Sequence, residues 1–404
     1  MLKKDDFKTI MLTSIGGMLE YYDFVIFSLF AIVLGKTFFP SEGSEALQTL
    51  SAFTVFAVGY LARPLGGIIF GHIGDIYGRK KSFILTILLM GSSSFLIALL
   101  PSYNTAGIIT VIVFVLLRII QGAAIGGEIP SAVVFIKETL TKNSGLACGM
   151  IFCLINFGIL FAQVTKILLG YFLEDQYAWR AAFILGGLAA ILSYFFRKEI
   201  HETEVFLSSK KTKKLPLLVL FKTQKLAIIR SSAVISIIAI IVGFYSLFLP
   251  SYMVLNHILD SSTLILLNLL IFSLMCIPSG ILADKYNPLS VFVLGSVGVL
   301  IFGAIFYLCI ISNSQYLIYI MCINSCFMGL TVGVAANYSC TLFDANVRAS
   351  GLGTIYNICF AIFNGIFLAL ASYGIASGII FTPIYLSSTI IFISLVVLIS
   401  TPKK

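Results

Sequence analysis

Twelve apolar runs, separated by short polar punctuation, constrain this chain more than any other feature. They lie at roughly 9–35, 49–71, 82–100, 106–129, 145–169, 180–196, 227–249, 262–282, 289–311, 316–341, 350–373 and 382–400. A helix needs about 20 mostly apolar residues to cross a bilayer, and the runs are of that order. A membrane β-barrel would show short segments of alternating hydrophobicity instead. The predicted fold class is therefore an all-α polytopic membrane protein. With 59 % hydrophobic and 11 % charged residues, the chain cannot cover a soluble surface, because soluble domains sit near ~25 % charged. It is also far too apolar for disorder. Glu20 and Asp23 interrupt the first run where a signal peptide would be apolar, so that run is read as a spanning helix.

A net charge of +9 in a soluble chain would suggest nucleic acid. Here it reports orientation, since Lys and Arg collect on the cytoplasmic side of a membrane. With the N-terminus inside, most of the 26 basic residues fall in cytoplasmic segments. These include Lys3, Lys4 and Lys8, then Arg79, Lys80 and Lys81, then Lys137 and Lys142, and finally Lys403 and Lys404. The longest polar stretch, 197–226, is the most basic and carries Lys210, Lys211, Lys213 and Lys214. It reads as a cytoplasmic linker between 1–196 and 227–404, each a six-helix bundle, or as a contact for anionic lipid. The eight cysteines lie in or beside apolar runs and none has CxxC spacing. No disulfide framework, metal site or cofactor is expected, and Cys322 and Cys326 read as small packing residues. There is no P-loop, HExxH or GxSxG motif, so an enzyme is not expected.

A repeat supports two halves. Gly71, Gly74, Asp75, Gly78, Arg79, Lys80 and Lys81 follow the second run. Gly280, Asp284 and Lys285 follow the eighth, 209 residues later. Asp75 is placed to face a helix N-terminus, where the dipole favours an anion. Arg79 is placed to pair with Glu138, and Arg348 lies in the corresponding loop after the tenth run. Together Gly71, Gly74, Asp75, Gly78, Arg79, Glu138, Gly280, Asp284 and Arg348 form the expected conformational gate.

The segment from Gly71 to Lys80 resembles the loop 2–3 signature of the major facilitator superfamily, with Ile76 where a basic residue is usual. Gly17, Glu20, Tyr21, Tyr22 and Asp23 are similar to the Glu-Trp-Tyr-Asp signature of its metabolite:proton symporters, the proline/betaine and α-ketoglutarate transporter group, with Tyr21 replacing Trp. Arg63, Pro64, Gly66 and Gly67 match the same group, as do Arg118, Gln121, Gly122, Gly126, Gly127 and Glu128. The resemblance implies a major facilitator fold of twelve helices in two pseudo-symmetric six-helix bundles. It also implies proton-coupled uptake of a small organic solute, with no cofactor, by a monomer in a bacterial inner membrane with both termini cytoplasmic. A proton-coupled exporter of a drug-like or siderophore-type solute is the alternative.

Ionisable groups inside a membrane cost about 2.5–3.5 kcal/mol each on insertion scales, so they are functional candidates. The sequence places Glu20, Asp23, Arg63, Arg118, Glu128 and Lys166 there, all in the first half. At 1.5 Å per residue, Glu20, Asp23 and Arg118 lie about 16–21 Å deep and are expected to meet. Glu20, Asp23, Arg118 and Glu128 are the candidates for proton coupling. A nearby Arg lowers the proton affinity of a carboxylate and burial raises it, so relative movement can load and unload a proton. A static ion pair is the other reading. Arg63 and Arg118 could equally hold a substrate carboxylate. Lys166 is expected to snorkel to the interface. The second half offers uncharged polar groups, and the expected substrate contacts are Arg63, Tyr22, Gln121, Tyr245, Asn337, Tyr338 and Asn357. Inter-helix hydrogen bonding is the alternative for those of the second half.

Overall fold

The computed structural model of the chain describes residues 4–40, 45–140, 142–198, 201–208, 216–255 and 261–402, and every regular element among them is helical. Each apolar run becomes a helix, because hydrocarbon forces the backbone to satisfy its own hydrogen bonds. The first six are α1 (Lys4–Leu29), α2 (Glu45–Ile76), α3 (Arg79–Leu99), α4 (Ile108–Thr139), α5 (Ser144–Phe172) and α6 (Asp175–Lys198). The second six begin with α7 (Lys225–Ile241), which continues through a π-helical stretch, Val242–Phe248, into Leu249–Leu255. Then come α8 (Ser261–Lys285), α9 (Pro288–Ile311) and α10 (Leu317–Thr341). Helix α11 (Arg348–Cys359) continues through the π-helical Phe360–Asn364 into Gly365–Ala376, and α12 (Thr382–Ser400) ends the fold.

Several boundaries differ from those expected. The first run splits after Leu29, and a separate helix covers Ala31–Phe38. Helix α2 runs past its apolar stretch to Ile76, and the chain then turns at Gly78 with φ +115°, a backbone that glycine alone adopts cheaply. The two π-helical stretches are invisible to hydropathy, since they change hydrogen-bond register and not composition.

One face of α2 shows why the bundle belongs in lipid. Leu61, Leu65 and Ile69, spaced one turn apart, are 66 %, 59 % and 51 % exposed. Inward faces use small residues. A Cβ at Gly122 would lie 1.9 Å from the Gly59 carbonyl oxygen, so α2 and α4 cross backbone to backbone. That crossing fixes where Arg63, Arg118 and Gln121 emerge. The first six helices pack mainly on one another, as do the last six, and α2 against α11 and α5 against α8 join the two sets. The described part of 197–226 forms short helices at Glu204–Ser208 and Pro216–Thr223, anchored by buried Phe206 and Leu220. Lys3, Lys210, Lys211, Lys213, Lys214, Lys403 and Lys404 lie outside the described residues.

Candidate functional site

At the basic end of the bundle the two sets of helices are latched together. Asp75 accepts hydrogen bonds from the backbone N–H of Ala349 (3.2 Å) and Ser350 (2.8 Å), at the first turn of α11. A helix N-terminus carries partial positive charge, so this is a favourable seat for a carboxylate. Arg79 Nη1 donates to Asp75 at 2.6 Å, and Arg79 Nε and Nη2 each donate to Glu138 at 3.2 Å. Arg79 also reaches the Ala345 carbonyl at 2.8 Å, and Arg348 donates to Glu138 at 3.0 Å. Gly71 gives the backbone clearance, since a Cβ there would lie 2.8 Å from Ser350 Cα. A Cβ at Gly74 would lie 3.3 Å from Ala349 Cβ, a tight contact.

The second copy is simpler. Asp284 accepts from the N–H groups of Gly145 and Leu146, both at 2.8 Å, at the start of α5. Gly280 lies backbone to backbone against Gly145. So the latch is duplicated about the pseudo-twofold, but the arginine network belongs to the first copy. Two residues that no sequence signal singles out complete it. Glu202 accepts from the N–H of Arg79 (3.0 Å) and Lys80 (3.2 Å), and Thr203 donates to Glu138 at 2.9 Å. A cleft of about 870 Å³ opens beside them, lined in part by Lys8, Thr9, His201 and Glu204.

Deeper in the bundle, Asp23 and Arg118 meet through a third residue. Gln121 Nε2 donates to Asp23 Oδ2 (3.1 Å) and to Ser94 Oγ (2.7 Å). Its carbonyl accepts from Arg118, and Ser94 donates to Asp23. Arg118 also lies over the Phe27 ring, 3.9 Å from its centroid. Asp23 is wholly buried. Gln121 thus bridges Asp23 and Arg118.

Glu20, one turn from Asp23, faces a different set of groups. It lies within electrostatic reach of Glu128, Arg63 and Arg197. Glu128 does not join Arg118. It pairs with Arg197, whose Nη1 donates to Glu128 Oε2 at 2.9 Å and to the Phe83 carbonyl at 2.9 Å. Thr86 donates to the same carboxylate at 2.6 Å. Arg197 reads from sequence as a basic residue of the cytoplasmic linker, yet it is wholly buried. Its position at the end of an apolar run gave no signal of this. Thr86 and Ser94 did leave one, being two turns apart on one face of α3.

Arg63 sits where the two sets of helices meet, 5.0 Å from the Tyr60 ring and 5.5 Å from that of Phe360. It is 2 % exposed, and its Nε and Nη2 have no hydrogen-bond partner among the described residues. Nearby, Tyr21, Asn156, Ser246 and Tyr356 help line a small cavity of about 10 Å³ between the halves, room for about one water.

The remaining expected substrate contacts are spread elsewhere. Tyr22 donates to the Ala182 carbonyl (3.0 Å), binding α1 to α6. Tyr245 is buried inside the last six helices against Phe244 and Phe306. Tyr338 accepts from Arg230 at 2.6 Å, towards the basic end. Asn337 is buried with its Oδ1 unpartnered among the described residues. Asn357 donates to the carbonyls of Gly126 and Gly353, both at 2.7 Å, and so ties α11 to α4. Tyr22, Tyr338 and Asn357 thus each make a hydrogen bond between helices in this state. Lys166 is exposed. Across the interface, Asn364, the last residue of a π-helical stretch, donates to Tyr60 at 3.0 Å.

A sequence model described as Major Facilitator Superfamily matches residues 13–368. A proline/betaine transporter of Salmonella typhimurium is 30 % identical over 378 residues, covering 87 % of this chain and 74 % of that protein. The proline/betaine transporter of Escherichia coli K12 is similar to the same extent, with the same coverage. Among solved structures, a proton:xylose symporter, XylE, bound to 6-bromo-6-deoxy-D-glucose superposes with a TM-score of 0.80. It is 16 % identical, covering 98 % of this chain and 96 % of that one.

Proposed function

The chain belongs to the major facilitator superfamily, and from that premise we propose that this transporter takes up a small zwitterionic solute together with protons. The buried cluster of Asp23, Ser94, Gln121 and Arg118 carries this reading. It places a carboxylate that can exchange a proton within reach of an arginine that can compensate its charge. Proline/betaine transporters among the relatives support the solute class. So does Arg63, whose unused donors suit a carboxylate, beside the rings of Tyr60, Tyr21 and Tyr356, which suit a quaternary or secondary ammonium.

The basic end is the cytoplasmic face of a bacterial inner membrane, with both termini inside, by the positive-inside rule. The latch of Asp75, Arg79, Glu138 and Arg348 then makes this the state closed to the cytoplasm. Solute and proton load from outside, the halves rock about the α2–α11 and α5–α8 contacts, and the latch opens. The proton gradient supplies the driving force, and no cofactor takes part.

The test is uptake of labelled proline and glycine betaine into proteoliposomes carrying an imposed pH gradient. Accumulation only when the outside is acidic is the expected result. Extrusion under that gradient overturns the reading.

A further inference from the structure

Besides the latch, two arginine–carboxylate centres occupy the first six helices, and the proton-coupling cluster uses one of them. The other consists of Glu20, Glu128 and Arg197. Glu128 and Arg197 are paired with 1 % and 0 % side-chain exposure. The pair lies against the backbone of α1 at Gly16, where a Cβ would collide with Arg197 and lie 2.8 Å from Glu128 Oε1. Residues 16 and 20 are one turn apart and share a face of α1. Glu20 therefore looks down on the pair. Its residue is wholly buried, and neither carboxylate oxygen has a hydrogen-bond partner among the described residues. A buried carboxylate without a donor is costly when ionised. Around it, Glu128 comes from α4, Arg63 from α2, Arg197 from α6 and Tyr356 from α11, with Tyr21 on its own helix.

We propose that Glu20, Glu128 and Arg197 form a second proton-carrying centre, in which Arg197 changes partner as a proton passes between the two carboxyls. This deepens the symport reading above and rests on it for its role in transport. In the state described, Arg197 neutralises the Glu128 carboxylate and Glu20 carries the proton. On turning, Arg197 pairs with Glu20, whose O–H bond breaks as an O–H bond forms on Glu128. Charge is conserved within the centre at each step. Glu128 is the member nearer the basic end, so the proton is then placed for release on that side. Arg197 acts here through the carboxyls and is a positioning residue.

The experiment is an infrared pH titration of the full chain in lipid without solute, following protonated-carboxyl bands. Glu20→Gln is expected to remove one band that Asp23→Asn leaves in place. Glu128→Gln frees Arg197 for Glu20 and is expected to move that band about one pH unit or more to the acid side. Should that variant fold poorly, the paired neutral variant Glu128→Gln with Arg197→Gln removes the partner exchange. It is expected to move the Glu20 band less far to the acid side than Glu128→Gln alone does. Titrations of Glu20→Gln that match wild type, or a paired variant that shifts the band as far to the acid side as Glu128→Gln does, overturn the proposal. Proline uptake is measured in parallel. A wild type that shows these bands but accumulates neither proline nor glycine betaine overturns the symport reading and leaves the centre standing.

Discussion

In α1–α6 the interior holds Glu20, Asp23, Arg63, Arg118, Glu128 and Arg197, each at most 2 % exposed. In α7–α12 the described buried groups at comparable depth are uncharged: Asn268, Asn324, Ser325, Asn337, Asn357 and Asn364. Arg230, the buried cation of that half, lies towards the basic end and donates to the carbonyls of Thr401 and Pro402. The two halves share a fold and a latch motif, so the difference is one of chemistry. Buried charge requires partners fixed in place, because a lone one is expensive in hydrocarbon. The first half supplies them through tight α2–α4 crossing and the polar face of α3. The second half supplies the π-helical stretches of α7 and α11, which approach each other at Gly243 and Asn364. We read this as proton handling on one side and an uncharged, adjustable wall on the other.

That contrast can be broken at several points. Asp23→Asn should have the largest effect. One proton per solute allows about tenfold accumulation for each unit of pH gradient. The variant should show none, while solute exchange across equal concentrations persists. Normal accumulation would move the coupling away from Asp23.

Glu138→Gln should come next. Removing one partner of a buried pair costs about 3–5 kcal/mol. The closed state should lose that much relative to the open one, and maleimide labelling of Cys148 and Cys276, buried in α5 and α8, should rise at least tenfold. Unchanged labelling would mean that the latch does not set the resting state.

Asn364→Asp puts a charge into the second half. It should destabilise the protein by about 2.5–3.5 kcal/mol, read as a lower thermal midpoint in detergent. An unchanged midpoint would show that the second half tolerates charge as well as the first.

Asp284→Asn should be the mildest. Asp284 is exposed and caps a helix without an arginine partner among the described residues, so about 0.3–1 kcal/mol is at stake. Asp75→Asn should raise labelling more than Asp284→Asn does. Equal effects would make the two copies of the latch equivalent.

Hydropathy alone located the twelve helices, because a bilayer demands length and apolarity and little else. The 209-residue echo of Gly71 and Asp75 in Gly280 and Asp284 pointed to the paired latch, since a carboxylate at that spacing has one obvious seat. The charges within the membrane were also legible, all but one. Their partners were not. Depth along a helix follows from counting residues, but rotation about its axis depends on neighbours that the run does not name. Glu20 and Asp23, three residues apart, seemed bound to share a partner and instead face different centres.

The sequence by itself determined a polytopic helical membrane protein, its duplicated halves and the short roster of charges inside it. Those follow from composition, spacing and the cost of polar groups in lipid. The tertiary structure decided that Arg118 reaches Asp23 through Gln121, that Tyr22 and Tyr338 bond to Ala182 and Arg230, and that Arg197 is a buried counter-ion and not part of a solvated linker. Each of these depends on which faces of distant helices are pressed together, and no local pattern in the chain records that.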